Sequence, residues 1–169
     1  SFTITSLGYS NKIIYRNKAK LNDDIYVTGN LGDSYLGLKA LSNKAKFKNK
    51  DKLFFIDKYY KPDLPLNLTK YLLKFANSSI DVSDGLIDDL SKMINRQNLS
   101  FHLFEKKIPV SKKMSNLIKK QRLNKINLIS NGDDYQVLFT ADVNKARIIQ
   151  NASKTTGIKI TKIGKIVSG

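Results

Sequence analysis

The 169-residue chain has no cysteine and a single histidine, His102. Without thiols it forms no disulfide, no thiolate nucleophile and no cysteine-based zinc site. One imidazole excludes a multi-histidine metal centre, and His102, mid-strand without an obvious acidic partner, reads as a structural residue. No apolar run approaches the roughly 18 residues of a membrane-spanning helix. No signal peptide opens the chain, and it begins at Ser1 rather than Met, the start expected of a processed chain or a fragment. There is no Gly-x-x-x-x-Gly-Lys-Ser/Thr loop and no Gly-x-Gly-x-x-Gly after a strand, so the two common glycine-rich phosphate cradles are absent. Arginine is scarce at four residues, and Glu105 is the only glutamate.

What is abundant is lysine. With 30 basic and 14 acidic residues the net charge is +16, yet 41% of the residues are hydrophobic, which places the chain among folded domains rather than basic tails. The length fits one domain. A basic surface invites a nucleic-acid reading, but readers of bases and phosphates favour the planar arginine fork. The lysines are spread along the whole chain. Their densest run, Lys44 to Lys52, reads as a solvated loop, and the Lys, Asn and Ile bias is that of an AT-rich genome. A basic nucleic-acid-binding module stays as an alternative, and no specific nucleic-acid or membrane partner is expected.

Hydrophobic periodicity outlines an α+β domain with a mixed β-sheet and packed helices. Strands are expected over Phe2–Tyr9, Lys12–Arg16, Ile25–Thr28, Ser79–Val82, Ser100–Phe104, Tyr135–Thr140 and Ile158–Val167, the last interrupted near Gly164. Helices are expected from Asp33 or Ser34 as cap, over Lys52–Tyr60, Leu68–Phe75, from Ser83–Asp84 onward, over Lys112–Lys120, and from Asp142 to about Ser153 with Gly157 beyond its end.

The acids carry more local information than the bases. Thirteen of the 14 are Asp, and six fall in two short segments: Asp81, Asp84, Asp88 and Asp89, then Asp133 and Asp134. In Asp81-Val82-Ser83-Asp84-Gly85-Leu86, a strand ends and a helix begins. Val82 points to the core, so Asp81, Ser83 and Asp84 converge beside free helix N–H groups. Hard oxygen ligands at this spacing suit Mg²⁺, which keeps waters and phosphate oxygens as its other ligands, and a helix start meets phosphate directly. The alternative is ordinary helix capping by Asp and Ser. Asp88 and Asp89, one turn on, read as exposed helix acids, with one of them facing the site as the alternative. Ser130-Asn131-Gly132-Asp133-Asp134-Tyr135 is first a tight turn, and second a display of carboxylate toward a substrate.

These segments resemble the motifs of one family. Asp23 to Ser34 resembles the G-D-x-I-x-V-T-G-x-x-G-D-S/A stretch of thiamine-monophosphate kinases, Ile80 to Leu86 their I-D-x-S-D-G-L signature, and Ser130 to Tyr135 their S-G-G-E-D-Y. Tyr60-Lys61-Pro62 and Ile108-Pro109 fall where that family has an R-x-P-type stretch and I-P. The order and spacing agree from about Ser6 to Gly164. The family is related to aminoimidazole ribonucleotide synthetase, selenophosphate synthetase and the hydrogenase-maturation protein HypE, which are alike in a two-domain plan.

The resemblance implies that residues 20–169 are the C-terminal α+β domain, and residues 1–19 the last strands of an N-terminal ATP-binding domain that makes a homodimer. It implies ATP- and Mg²⁺-dependent phosphorylation of thiamine monophosphate to thiamine diphosphate, in the cytoplasm, with the fragment inactive alone. Asp81 and Asp84 match Mg²⁺ ligands, Ser83 and Arg16 match ATP contacts, and Asp133 falls on a Glu that contacts the thiamine substrate, one methylene shorter. No residue is expected to act as a general base. Synthesis of aminoimidazole ribonucleotide or selenophosphate is the alternative within the same superfamily.

Overall fold

The computed structural model describes residues 3–5, 7–42 and 47–169. Lys44 and Lys46 of the lysine run, and Phe2 and Ser6 of the first expected strand, lie outside the described residues.

Among the described residues five strands form one sheet: β1 (Asp24–Thr28), β2 (Ala76–Asp81), β3 (Leu99–Leu103), β4 (Val137–Ala141) and β5 (Ile160–Ser168), in the order β2-β4-β1-β5-β3. The α+β class stands, and each of the four pairings is antiparallel. All five residues of β1 are buried, because helices cover both faces of the central strand. Alternation splits them between two cores. Ile25 and Val27 join Leu138, Ile163 and Ile166 against α1 (Asp33–Leu41), α2 (Asn49–Tyr60), α4 (Leu86–Ile94), α5 (Lys112–Gln121) and α6 (Lys125–Ile129). Tyr26 faces the other way, stacked on Phe139 at 5.2 Å, under α3 (Thr69–Leu72) and α7 (Ala146–Thr156). Next to Gly164 the β1–β5 register slips, and a Cβ there would lie 2.4 Å from the His102 carbonyl oxygen. Exposed His102 itself packs edge-on against Phe104.

Three expectations are corrected. Neither strand over Phe2–Tyr9 and Lys12–Arg16 forms among the described residues of that stretch. Extended segments become strands only when a neighbour takes their N–H and C=O groups, and here Ile4, Leu7 and Tyr9 stand almost fully exposed. The helix expected over Leu68–Phe75 shortens to Thr69–Leu72 after a single 3₁₀ turn at Leu66–Leu68. A short helix at Lys125–Ile129, started by Asn124 accepting from Asn127 N, was not foreseen. Among the described residues no helix is long and apolar enough to cross a membrane.

Candidate functional site

β2 ends at Asp81, opposite Val137 of β4. Val82 is fully buried, as its alternation demands, while Asp81 and Asp84 are exposed. The loop that follows is bonded to the segment before β4, backbone to backbone. Val82 N donates to Gln136 O (2.8 Å), Tyr135 N to Val82 O (2.9 Å) and Asp133 N to Ser83 O (3.0 Å). A Cβ on Gly132 would fall 1.6 Å from the Ser83 carbonyl oxygen, and one on Gly85 would fall 2.4 Å from that of Ser130. Gly85 also has φ +117°, in the region that favours glycine. Two acidic segments far apart in sequence are thereby joined at one rim, bringing Asp81, Ser83, Asp84 and Asp133 together.

Neither Ser83 nor Asp84 caps α4. The cap position is Gly85, with no side-chain bond of its own. Asp89, fully buried, does the work from inside the helix: its Oδ2 accepts from Ser83 N and Asp84 N (both 3.0 Å) and Gly85 N (3.2 Å). The loop curls over the helix end so that three N–H groups converge on this carboxylate. The exposed position expected of both helix acids therefore holds for Asp88 and fails for Asp89. The spacing concealed this, since a capping-box acid stands three residues after the cap and Asp89 stands four. Asp89 Oδ1 pairs with Lys92 Nζ at 2.7 Å, and the same ammonium bonds Asp84 Oδ2. Hydrogen bonding to Asp84, then to Asp89, holds the Lys92 pKa above its usual value.

The second acidic pair divides in the same way. Asp134 is buried and accepts from Gly32 N (2.6 Å) and Ser34 N (3.4 Å), so it, and not Asp33 or Ser34, closes the start of α1. Asp33 lies inside and accepts from Ser111 Oγ at 2.7 Å. Burial lifts the Asp134 pKa to about 7 and that of Asp33 to about 6, against the hydrogen bonds and, for Asp33, Lys58. Asp133 and Tyr135 flank Asp134 at φ +66° and +50°, left-handed conformations uncommon for residues other than glycine. The backbone bonds to Val82 and Ser83, with the Asp134 cap, hold them there. Half-buried Asp133 accepts from the Tyr135 hydroxyl at 3.3 Å. The phenol pKa is raised first by the Asp133 charge and by burial, with Asp81 and Tyr59 contributing, so Asp81 and Asp133 act on one group.

Arg16 is exposed in the segment before β1 and makes no hydrogen bond or ion pair with these loops among the described residues. Beside the Asp134 cap lies a cavity of about 250 Å³, lined in part by Asn30, Phe54, Lys58, Asp63 and Gln136. Among the described residues no three or more acids or histidines are grouped to hold a metal ion by themselves. Two exposed carboxylates, one already carrying an ammonium as a stand-in cation, fit a hydrated Mg²⁺ that draws its other ligands from water and phosphate.

The architecture recurs in solved proteins. Escherichia coli HypE, a hydrogenase maturation protein, superposes with a TM-score of 0.71 over 95% of this chain and 48% of its own, at 14% identity. That likeness establishes the fold, the α+β unit of the aminoimidazole ribonucleotide synthetase-like class. Within the class, the chain is related to the thiamine-monophosphate kinases. It is 32% identical to the enzyme of Haemophilus influenzae over 168 residues, 98% of this chain and 51% of the relative, and 31% identical to that of Aquifex aeolicus over 79% of this chain and 44% of the relative. The Stenotrophomonas maltophilia thiamine-monophosphate kinase structure aligns with a TM-score of 0.81 at 27% identity, over 92% of this chain and 51% of that one. A structure of AaThiL complexed with AMPPCP and TMP aligns at 0.78 and 29% identity, over 92% and 48%. The chain spans about half the length of these relatives. No protein-family model matches it.

Proposed function

We propose that this chain is the C-terminal α+β half of a thiamine-monophosphate kinase, with residues 20–169 forming the domain and residues 1–19 continuing from an ATP-binding domain that also makes a homodimer. The complete enzyme transfers the γ-phosphoryl group of ATP to thiamine monophosphate in the cytoplasm. One observation carries the reading: Asp81, Ser83, Asp84 and Asp133 come from two loops hydrogen-bonded to each other at one rim. Relatives of 31–32% identity bear that name, and a related structure is complexed with AMPPCP, an ATP analogue, and TMP.

In this reading Asp81 and Asp84 hold Mg²⁺, which when bound neutralises charge on the β- and γ-phosphate oxygens. Ser83 meets a phosphate oxygen, Arg16 contacts ATP from the preceding segment, and Asp133 orients the thiamine substrate. The acceptor is a phosphate oxygen, already anionic, so no side chain needs to remove a proton. Positioning and charge neutralisation supply the catalysis.

The test uses the complete enzyme. Asp81→Asn and Asp84→Asn each raise the Mg²⁺ concentration for half-maximal turnover and lower kcat, with thiamine diphosphate read by chromatography. Unchanged Mg²⁺ dependence in both variants removes the metal-ligand role, and no phosphorylation of thiamine monophosphate by the wild type removes the substrate assignment.

A further inference from the structure

The sequence between Asp81 and Asp89 places four carboxylates near one loop, and Lys92 is the one basic residue of α4. Its ammonium bridges Asp84, whose side chain is 62% exposed, and Asp89, whose side chain is not exposed at all. The two ends of this bridge differ in what they can give up. Asp89 Oδ2 is committed to three backbone N–H groups and Oδ1 to Lys92, so Asp89 is closed to a metal ion. The Asp84 carboxylate has no other hydrogen-bond partner among the described residues, and it turns outward. A lysine stem is long and jointed, so the ammonium can leave Asp84 and keep its bond to Asp89.

We infer that Lys92 is a resident competitor for the divalent cation at Asp84: it neutralises that carboxylate when no metal is bound, and swings back onto Asp89 when a metal with its phosphate ligands takes its place. This rests on the reading of Asp84 as a metal ligand. Lys92 is then a positioning residue that keeps the Ser83–Gly85 loop from splaying under its own negative charge and sets the metal affinity of the rim. An ion pair with one partner this exposed contributes up to about fivefold to an equilibrium, which bounds the effect.

The test is Mn²⁺ binding by the chain, without nucleotide, followed through the electron paramagnetic resonance signal of free Mn²⁺. Lys92→Met removes the ammonium. Lys92→Gln removes the charge but keeps a donor for Asp89, and circular dichroism melts establish that each variant is folded. Both variants bind Mn²⁺ about two- to fivefold more tightly than wild type, and adding Asp84→Asn to either abolishes the gain. Equal or weaker binding by both, with Asp84→Asn alone weakening wild-type binding, overturns the competition while the metal reading survives. Binding indifferent to Asp84→Asn, or no binding by any form at millimolar Mn²⁺, overturns the metal reading and the competition with it.

Discussion

Asp89→Ala isolates the residue that organises the Ser83–Gly85 loop. The substitution strands three backbone N–H groups, on Ser83, Asp84 and Gly85, that now share one fully buried oxygen. Hydrogen bonds to a charged acceptor contribute about 1.5–3 kcal/mol each when counted singly, but three donors sharing one oxygen do not add in full. Water reaches part of the loop, since Ser83 is half-buried and Asp84 exposed. Loss of a helix cap alone costs about 1 kcal/mol. The expected total is about 3 kcal/mol, which in a chain of this size lowers Tm by about 6–12 °C. Thermal and urea unfolding by circular dichroism measure it, with Asp88→Ala, one position away and exposed, as the control within about 0.5 kcal/mol of wild type. Amide hydrogen exchange at Ser83–Gly85 rises in Asp89→Ala before global unfolding. An Asp89→Ala chain as stable as wild type, or an Asp88→Ala chain equally damaged, refutes the assignment of Asp89 as the loop's anchor.

Other outcomes follow from the same packing. Asp33 has its pKa raised from 3.8 to about 6 by burial, so its contribution to stability is full below pH 3.8 and lost as pH rises through about 6; Asp33→Asn, a mimic of the protonated acid, therefore gains on wild type by up to about 3 kcal/mol between pH 4 and 7, and a pH-independent difference in urea unfolding would contradict this. Gly132→Ala meets the Ser83 carbonyl at 1.6 Å, so it pushes the two acidic loops apart, weakening both Mn²⁺ binding and stability, by at least about 1–3 kcal/mol; a crystal structure with the Asp133–Ser83 bond intact would show the reasoning wrong. Phe139→Ala empties the stack between Tyr26 and Phe75 and costs about 3–5 kcal/mol in urea unfolding, with no change in Mn²⁺ affinity because it lies in the core opposite the loops.

Much of this was legible in the chain. Leu86, Leu90 and Met93, at helical spacing, form the fully buried face of α4, and Ile25, Tyr26 and Val27 form a central strand by their β-branched and aromatic character. Gly157 ends the last helix as its type dictates, at φ +70°, whereas Asp142 starts not that helix but the 3₁₀ turn Val143–Lys145 before it, its Oδ1 accepting from Asn144 N, and Lys145 holds the cap position of α7. These signals are local. They depend on the spacing of apolar side chains and on the conformations that Asp and Gly permit, so one sequence suffices to read them. The grouping of six Asp residues marked the region of the candidate site, and the motif resemblance suggested a chemistry for it.

The partition of those six acids was not legible. Asp89 and Asp134 are alike in sequence to their neighbours Asp88 and Asp133, yet they are buried caps while their neighbours face outward or half-outward. What separates them is which backbone N–H groups the fold brings to them: for Asp134, those of Gly32 and Ser34, from a helix far earlier in the chain. A mixed sheet was expected and each of the four pairings is antiparallel, since alternation carries no sense of the partner's polarity. The two strands expected before β1 do not form among the described residues, because a strand exists only through the ladder it joins. Local side-chain chemistry therefore determined the elements and the neighbourhood of the carboxylates. Long-range hydrogen bonding, which no single segment encodes, decided which of those carboxylates hold the loops together and which remain free to meet a ligand.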